Sequence, residues 1–288
     1  MITSGKIAAL TAALTAAASC LAAPVMAFSI AATNNTETLR NQLLGGKTTG
    51  LSDFSISVTG NSAAFGTFSN DPFGLQSGIV LSTGRVTNIP GRNTKDNDKI
   101  NGTDLSTDFG IEGEAGDLTQ LNLSFFADST AEKLFFEYVF ASEEFPEFGA
   151  SEFNDDFELL LNGNNLARLS DGKTVTINNL VPNPENRSTD HSDYINNPVA
   201  TGIAANIIKM DGFTKALGFE GMLKQNQTNV LSIRVKDVGD GKLDSAVFIK
   251  GGSLGTAPVE AVPEPMTAGG LMLGGAMLAA AKKRRDRR

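Results

Sequence analysis

Apolar and polar residues alternate strictly at Phe54-Ile56-Val58, Leu121-Leu123-Phe125, Leu134-Phe136-Tyr138-Phe140 and Leu231-Ile233-Val235. A period of two puts every second side chain on the same face of an extended strand, so each run predicts a strand with one face buried. Clusters of Gly, Asn, Asp and Pro bound these runs, as expected where the chain turns. Shorter apolar runs at Gly78–Leu81, Phe157–Leu161, Val175–Ile177 and Ala246–Ile249 predict further strands. About nine or ten short strands joined by loops point to an all-β fold, an antiparallel β-sandwich or jelly-roll-like domain with one or two short helices. Thr36 is placed to cap one helix carrying Leu39, Leu43 and Leu44 and ended by Gly45-Gly46, and Gly202 to Lys209 is the second candidate. Segments 90–117 and 182–198, rich in Asn, Asp, Gly and Pro, read as long loops, and loops of that length usually carry function or a bound ion.

The two ends break this pattern. Lys6, the Ala-rich apolar run Ile7 to Leu21 and the small-residue site ending at Ala27 form a secretory signal, removed after Ala27 by this reading. At the other end Val262-Pro263-Glu264-Pro265 precedes an apolar run from Met266 to Ala281 and the basic tail 282–288, which includes Arg284 and Arg285. Sixteen helical residues span about 24 Å, enough for a thin bilayer crossing if the flanking Lys and Arg stems snorkel. The basic residues hold that end on the cytoplasmic side, which puts everything before Pro263 across the membrane. This three-part tail resembles the PEP-CTERM sorting signal. The resemblance implies export by the Sec translocon of a Gram-negative bacterium that makes exopolysaccharide, transient residence in the inner membrane, and processing by exosortase. A permanent single-span membrane protein is the competing reading of the same helix. The expected division is therefore signal peptide 1–27, β domain 28–253, linker 254–261 and sorting signal 262–288.

Composition narrows the chemistry. The chain carries 32 acidic against 24 basic residues, a net charge of −8, and much of its basic charge sits in the tail, so the domain itself is more acidic still. Such a domain repels nucleic acid and anionic surfaces and attracts cations. The single cysteine, Cys20, lies within the signal segment, where Ala17 makes a poor lipobox. Cleavage after Ala27 leaves no disulfide, thiol nucleophile or thiolate metal site.

Two segments concentrate oxygen ligands: Phe140–Phe148 with Phe153–Phe157, and Asp237–Phe248. Glu143 and Glu144 close an aromatic strand, Asn154 and Asp155 open the next, and Asp237, Asp240 and Asp244 follow a third. Ca²⁺ takes six to eight hard oxygens in flexible geometry, so these seven residues are the expected metal ligands, at one site or two adjoining ones. The spacing does not fit an EF-hand. Backbone N–H groups and nearby Arg234, Lys236 and Lys242 are the alternative source of neutralisation. A carboxylate pair could instead serve glycoside hydrolysis, making a secreted hydrolase acting on polysaccharide or peptide the rival function. His191, the sole histidine, sits in a polar loop with no nucleophile elbow elsewhere, and reads as a solvated loop residue. No Trp and only Tyr138 and Tyr194 leave few platforms for sugar stacking.

Together with Gly78-Ile79-Val80-Leu81-Ser82-Thr83-Gly84 and Asp211-Gly212-Phe213-Thr214, the two acidic segments make the chain resemble the choice-of-anchor L domain, a bacterial surface module. Gly66-Thr67-Phe68, Gly102-Thr103-Asp104-Leu105 and Ile177-Asn178-Asn179 fit the same pattern, over about Thr36 to Ser253. Phe145 and Phe148 stand where the family prefers Tyr. The resemblance implies an exported β-rich domain attached to the cell surface, with no catalytic residues or cofactor-binding residues to carry over. The expected function is thus a non-enzymatic binding or structural role at the cell surface or in the extracellular matrix, with exopolysaccharide or other surface proteins as partners.

Overall fold

The computed structural model describes residues 27–45, 47–97, 99–110, 117–238 and 241–258. The expected signal cleavage and sorting segments, including Val262, Pro263, Glu264, Pro265, Arg284 and Arg285, lie outside the described residues apart from Ala27 itself, as does Asp240. No helix among the described residues is long and apolar enough to cross a membrane.

Among the described residues thirteen strands, more than the nine or ten expected, form two antiparallel sheets, as the alternation predicts in kind. The larger runs β1 (Ser29–Ala32), β3 (Phe65–Ser69), β4 (Ser77–Ser82), β13 (Ser245–Lys250), β6 (Lys133–Ser142), β10 (Gly212–Thr214) and β9 (Tyr194–Asn196), with β11 (Leu217–Met222) also paired to β6. The smaller runs β2 (Leu51–Thr59), β5 (Leu118–Ala127), β12 (Gln227–Lys236), β7 (Asp156–Leu161) and β8 (Asn164–Asn165). Every strand pairing is antiparallel, so hairpins and longer returns suffice and no helical crossover is needed.

Both faces of the large sheet are covered. Leu134, Phe136, Tyr138 and Phe140 of β6 enter the main core with Val247 and Ile249 of β13, Leu121, Leu123 and Phe125 of β5, and Leu231, Ile233 and Val235 of β12. The intervening residues Val139, Ala141, Ala246 and Phe248 join Phe213, Ile89, Leu105 and Ile208 in a second core on the opposite face. Alternating apolar residues fill the first face; the second is closed by the loops before β5 and before β10. This explains why β13 reads as a continuous apolar run rather than an alternating one.

Several local expectations change in three dimensions. The first helix, α1 (Thr36–Leu43), is capped by Asn35, whose side chain accepts from Thr38 N at 2.8 Å, not by Thr36. Val175–Ile177 forms no strand; Thr176 instead caps a short helix, α2 (Ile177–Leu180), and only an isolated bridge joins Thr176 to Asp156. Residues 202–209 make turns and not a helix, and the segment packs as a cover on the second core through Ala204 and Ile208. The loop over 182–198 contains a 3₁₀ turn at Arg187–Thr189 and the strand β9.

Candidate functional site

Antiparallel register brings together acids that are far apart in the chain. Ser142 of β6 pairs with Gly212 of β10 on one side and Ser245 of β13 on the other, while Ala246 pairs with Ser82 of β4 and Gly212 with Asn196 of β9. Continued past the strand ends, the same registers set Gly84, Asp244, Glu143, Asp211 and Asn197 side by side. Two hydrogen bonds extend the ladder there: Glu143 N donates to Asp244 O at 3.2 Å, and Asn197 N donates to Asp211 O at 2.8 Å. By the pleat, Asp244 precedes Ala246, Glu143 follows Ala141 and Asp211 precedes Phe213, which sets all three on the face of the second core. Three carboxyl groups therefore stand in a row at the rim of that core.

All three are buried, with 1 % of Glu143, 2 % of Asp211 and 1 % of Asp244 exposed. Loop residues hold one oxygen of each. Thr103 Oγ1 donates to Glu143 Oε2 at 2.5 Å, Asn93 Nδ2 to Asp211 Oδ1 at 2.6 Å, and Thr107 N to Asp244 Oδ1 at 2.6 Å. Glu143 Oε1 and Asp244 Oδ2 are buried with no hydrogen-bond partner. The Asp244 carboxyl lies against Gly84, where a Cβ would sit 1.7 Å from Oδ2, so only glycine leaves room for it.

The electrostatics follow from this burial. Loss of water raises the pKa of Glu143 well above its ordinary value, opposed by the Thr103 bond and reinforced by the charges of Asp104 and Asp244. Burial pushes Asp211 up to about 10, with the charges of Glu143, Glu147 and Asp96 adding to it. Burial likewise lifts Asp244 to about 6 against the Thr107 bonds.

The remaining expected ligands lie apart from this row. Asp155, fully buried at the start of β7, accepts from Val238 N at 2.9 Å and from Ser245 Oγ at 2.6 Å. Ser142 Oγ, 2.8 Å from Ser245 Oγ, accepts from Glu144 N. These groups occupy the inter-sheet side, so the large sheet separates Asp155 from Glu143 and Asp244. Asn154 Oδ1 accepts from Asn178 N at 2.8 Å and thereby secures the first turn of α2. Asp237 Oδ1 accepts from Gly241 N at 3.2 Å and closes the turn between β12 and β13. Among the described residues, no three His, Cys, Asp or Glu side chains are arranged as a metal-holding group.

Asp211, Asn93 and Thr103 were not among the expected site residues. Their sequence neighbourhoods carry turn formers but no spacing that ties them to Glu143; the strand register alone does so. His191 differs from expectation in another way. Its side chain is only 10 % exposed, and Nδ1 accepts from Asp193 N at 3.1 Å, so it braces the turn before β9 and is not solvated.

Residues 29–255 match the family model described as the Choice-of-anchor L domain. Neither the comparison with curated proteins nor that with solved structures gives a match.

Proposed function

We propose, on the premise that this chain belongs to the Choice-of-anchor L domain family, that it is an exported protein displayed at the cell surface or in the extracellular matrix through the sorting signal at 262–288. The family marks a surface-associated protein rather than an enzyme. The observation that carries the non-catalytic reading is the burial of the acidic residues. A glycosidase acid and base must touch the sugar, whereas Glu143, Glu144, Asp155 and Asp244 are each at most 1 % exposed and are placed within the fold's own framework. Their role is to organise the loop-bearing end of the sheets.

In this reading the Sec translocon exports the chain, exosortase cuts near Pro263–Pro265, and the β domain then contacts exopolysaccharide or other surface proteins. The acidic loops take up Ca²⁺ once outside the cell. Its support is the pair of buried carboxyl oxygens, Glu143 Oε1 and Asp244 Oδ2, that no hydrogen-bond donor meets. Intact-mass analysis of protein recovered from the cell envelope tests the sorting. The expected mass is that of a chain beginning at Phe28 and ending near Pro265; a mature chain still ending at Arg288 would overturn it.

A further inference from the structure

We propose that one divalent cation of the Ca²⁺ type sits between Glu143 and Asp211, under the loop that carries Asn93, Asn97 and Thr103. This rests on the reading that the acidic loops take up Ca²⁺, and it selects one place for the ion, including a ligand outside the two acidic sequence segments.

Continued one residue past the ends of β6 and β10, the register that pairs Ser142 with Gly212 sets Glu143 beside Asp211, and the charge of Glu143 is felt at Asp211. Cβ atoms in that relation lie about 4.5–5.5 Å apart, and like charges placed directly opposite destabilise a sheet. The fold nevertheless clamps both carboxyls in place from outside the sheet, through Thr103 and Asn93. Each clamp uses one oxygen. Glu143 Oε1 is left buried without a partner, a group that costs on the order of 1–3 kcal/mol or more unless something positive meets it. Asn97 Oδ1, in the covering loop, is also buried without a hydrogen-bond partner. Its neighbour Asp96 and the nearby Glu147 add negative charge at Asp211.

This donor set distinguishes between ions. Two carboxylates from adjacent strands, one amide oxygen, and loop carbonyl or water oxygens make an irregular all-oxygen shell. Ca²⁺ accepts such a shell, whereas Mg²⁺ demands near-octahedral geometry and a thiolate- or imidazole-seeking metal finds no ligand. Asp244, third in the row, is turned toward Gly84 and held by Thr107, so it strengthens the negative field without needing to touch the ion.

Calorimetric titration of CaCl₂ into the full-length protein, first stripped with chelator, tests this. The wild type should bind Ca²⁺, and Asp211→Asn and Glu143→Gln should each weaken binding at least about tenfold. Asp155→Asn, on the opposite face of the sheet, should bind as the wild type does. Asp211→Asn keeps the shape and removes a carboxyl whose charged form burial disfavours, so in chelator it should melt no lower than the wild type; should it fail to fold, Glu143→Gln decides. Unchanged affinity in the folded variants would overturn the site. Loss of binding in Asp155→Asn alone would move the ion to the inter-sheet side and leave the broader Ca²⁺ reading standing. No heat from the wild type would overturn both, with a retained proton as the neutralising charge.

Discussion

Replacing Gly84 by alanine should perturb the acidic row through one methyl group. The three atoms nearest the added Cβ all belong to the Asp244 carboxyl group, at 1.7, 2.0 and 2.4 Å, so the carboxyl must move. Gly84 is not among the residues with positive φ, so the backbone itself accepts alanine. Moving the carboxyl breaks its bond with Thr107 N, worth about 1.5–3 kcal/mol for a charged acceptor, and over-packs a buried rim at a cost of about 1–3 kcal/mol. Alanine returns about 0.5 kcal/mol by stiffening the unfolded chain. The net loss is about 3 kcal/mol, which in a domain of this size lowers Tm by about 6–12 °C. Thermal melts of wild type, Gly84→Ala, Asp244→Ala and the double variant form a cycle that isolates the contact. In the Asp244→Ala background the clash is gone, so the Gly84→Ala penalty should fall below about 1 kcal/mol. Penalties that add within about 0.5 kcal/mol would show that the two residues do not interact, and the packing of the row would have to be abandoned.

Phe248→Ala should cost about 3–5 kcal/mol in chemical denaturation, since the ring is fully buried among Phe28, Phe68 and Phe73, with Phe73 at 4.8 Å. A loss below about 1 kcal/mol would mean that the second core collapses around the gap or is loosely packed. Ser245→Ala should cost about 1.5–3 kcal/mol by the same assay, because Asp155 Oδ2 loses its hydroxyl donor while staying buried. Burial pushes the phenols of Tyr138 and Tyr194 above their ordinary value of 10.0. A raised folded-state pKa contributes stability in full below pH 10 that is lost as pH climbs through the raised values, so phenolate absorbance at about 295 nm should stay flat to about pH 11 and then appear together with unfolding. A reversible phenolate signal near pH 10 in the folded protein would contradict the burial of both rings.

The strand framework was legible because its cause is local. Leu121-Leu123-Phe125 and Leu231-Ile233-Val235 could satisfy alternation only by facing one core, and they become neighbours in β5 and β12 with Leu231 opposite Leu123. The loop-bearing ends were less so. Val175–Ile177 has the composition of a strand, yet Thr176 caps a helical turn because Asn179 N finds its hydroxyl. The stretch from Gly202 to Lys209, a helical candidate in the sequence, forms turns that cover the second core through Ala204 and Ile208.

Sequence alone determined that this chain makes an antiparallel β fold and that many of its acidic residues gather in two segments. Each of these depends on residue type and near-neighbour spacing, which are properties of a short stretch of chain. Which acids meet was decided only by the tertiary structure. Glu143 and Asp155 belong to the same acidic segment of the sequence, but they meet different partners in the fold. Glu143 thus joins Asp211 and Asp244, brought beside it by the pairing of β6 with β10 and β13, while Asp155 meets Ser142 and Ser245 between the sheets. Register is a property of strand pairs distant in the chain, so no spacing within either acidic segment could have revealed that division.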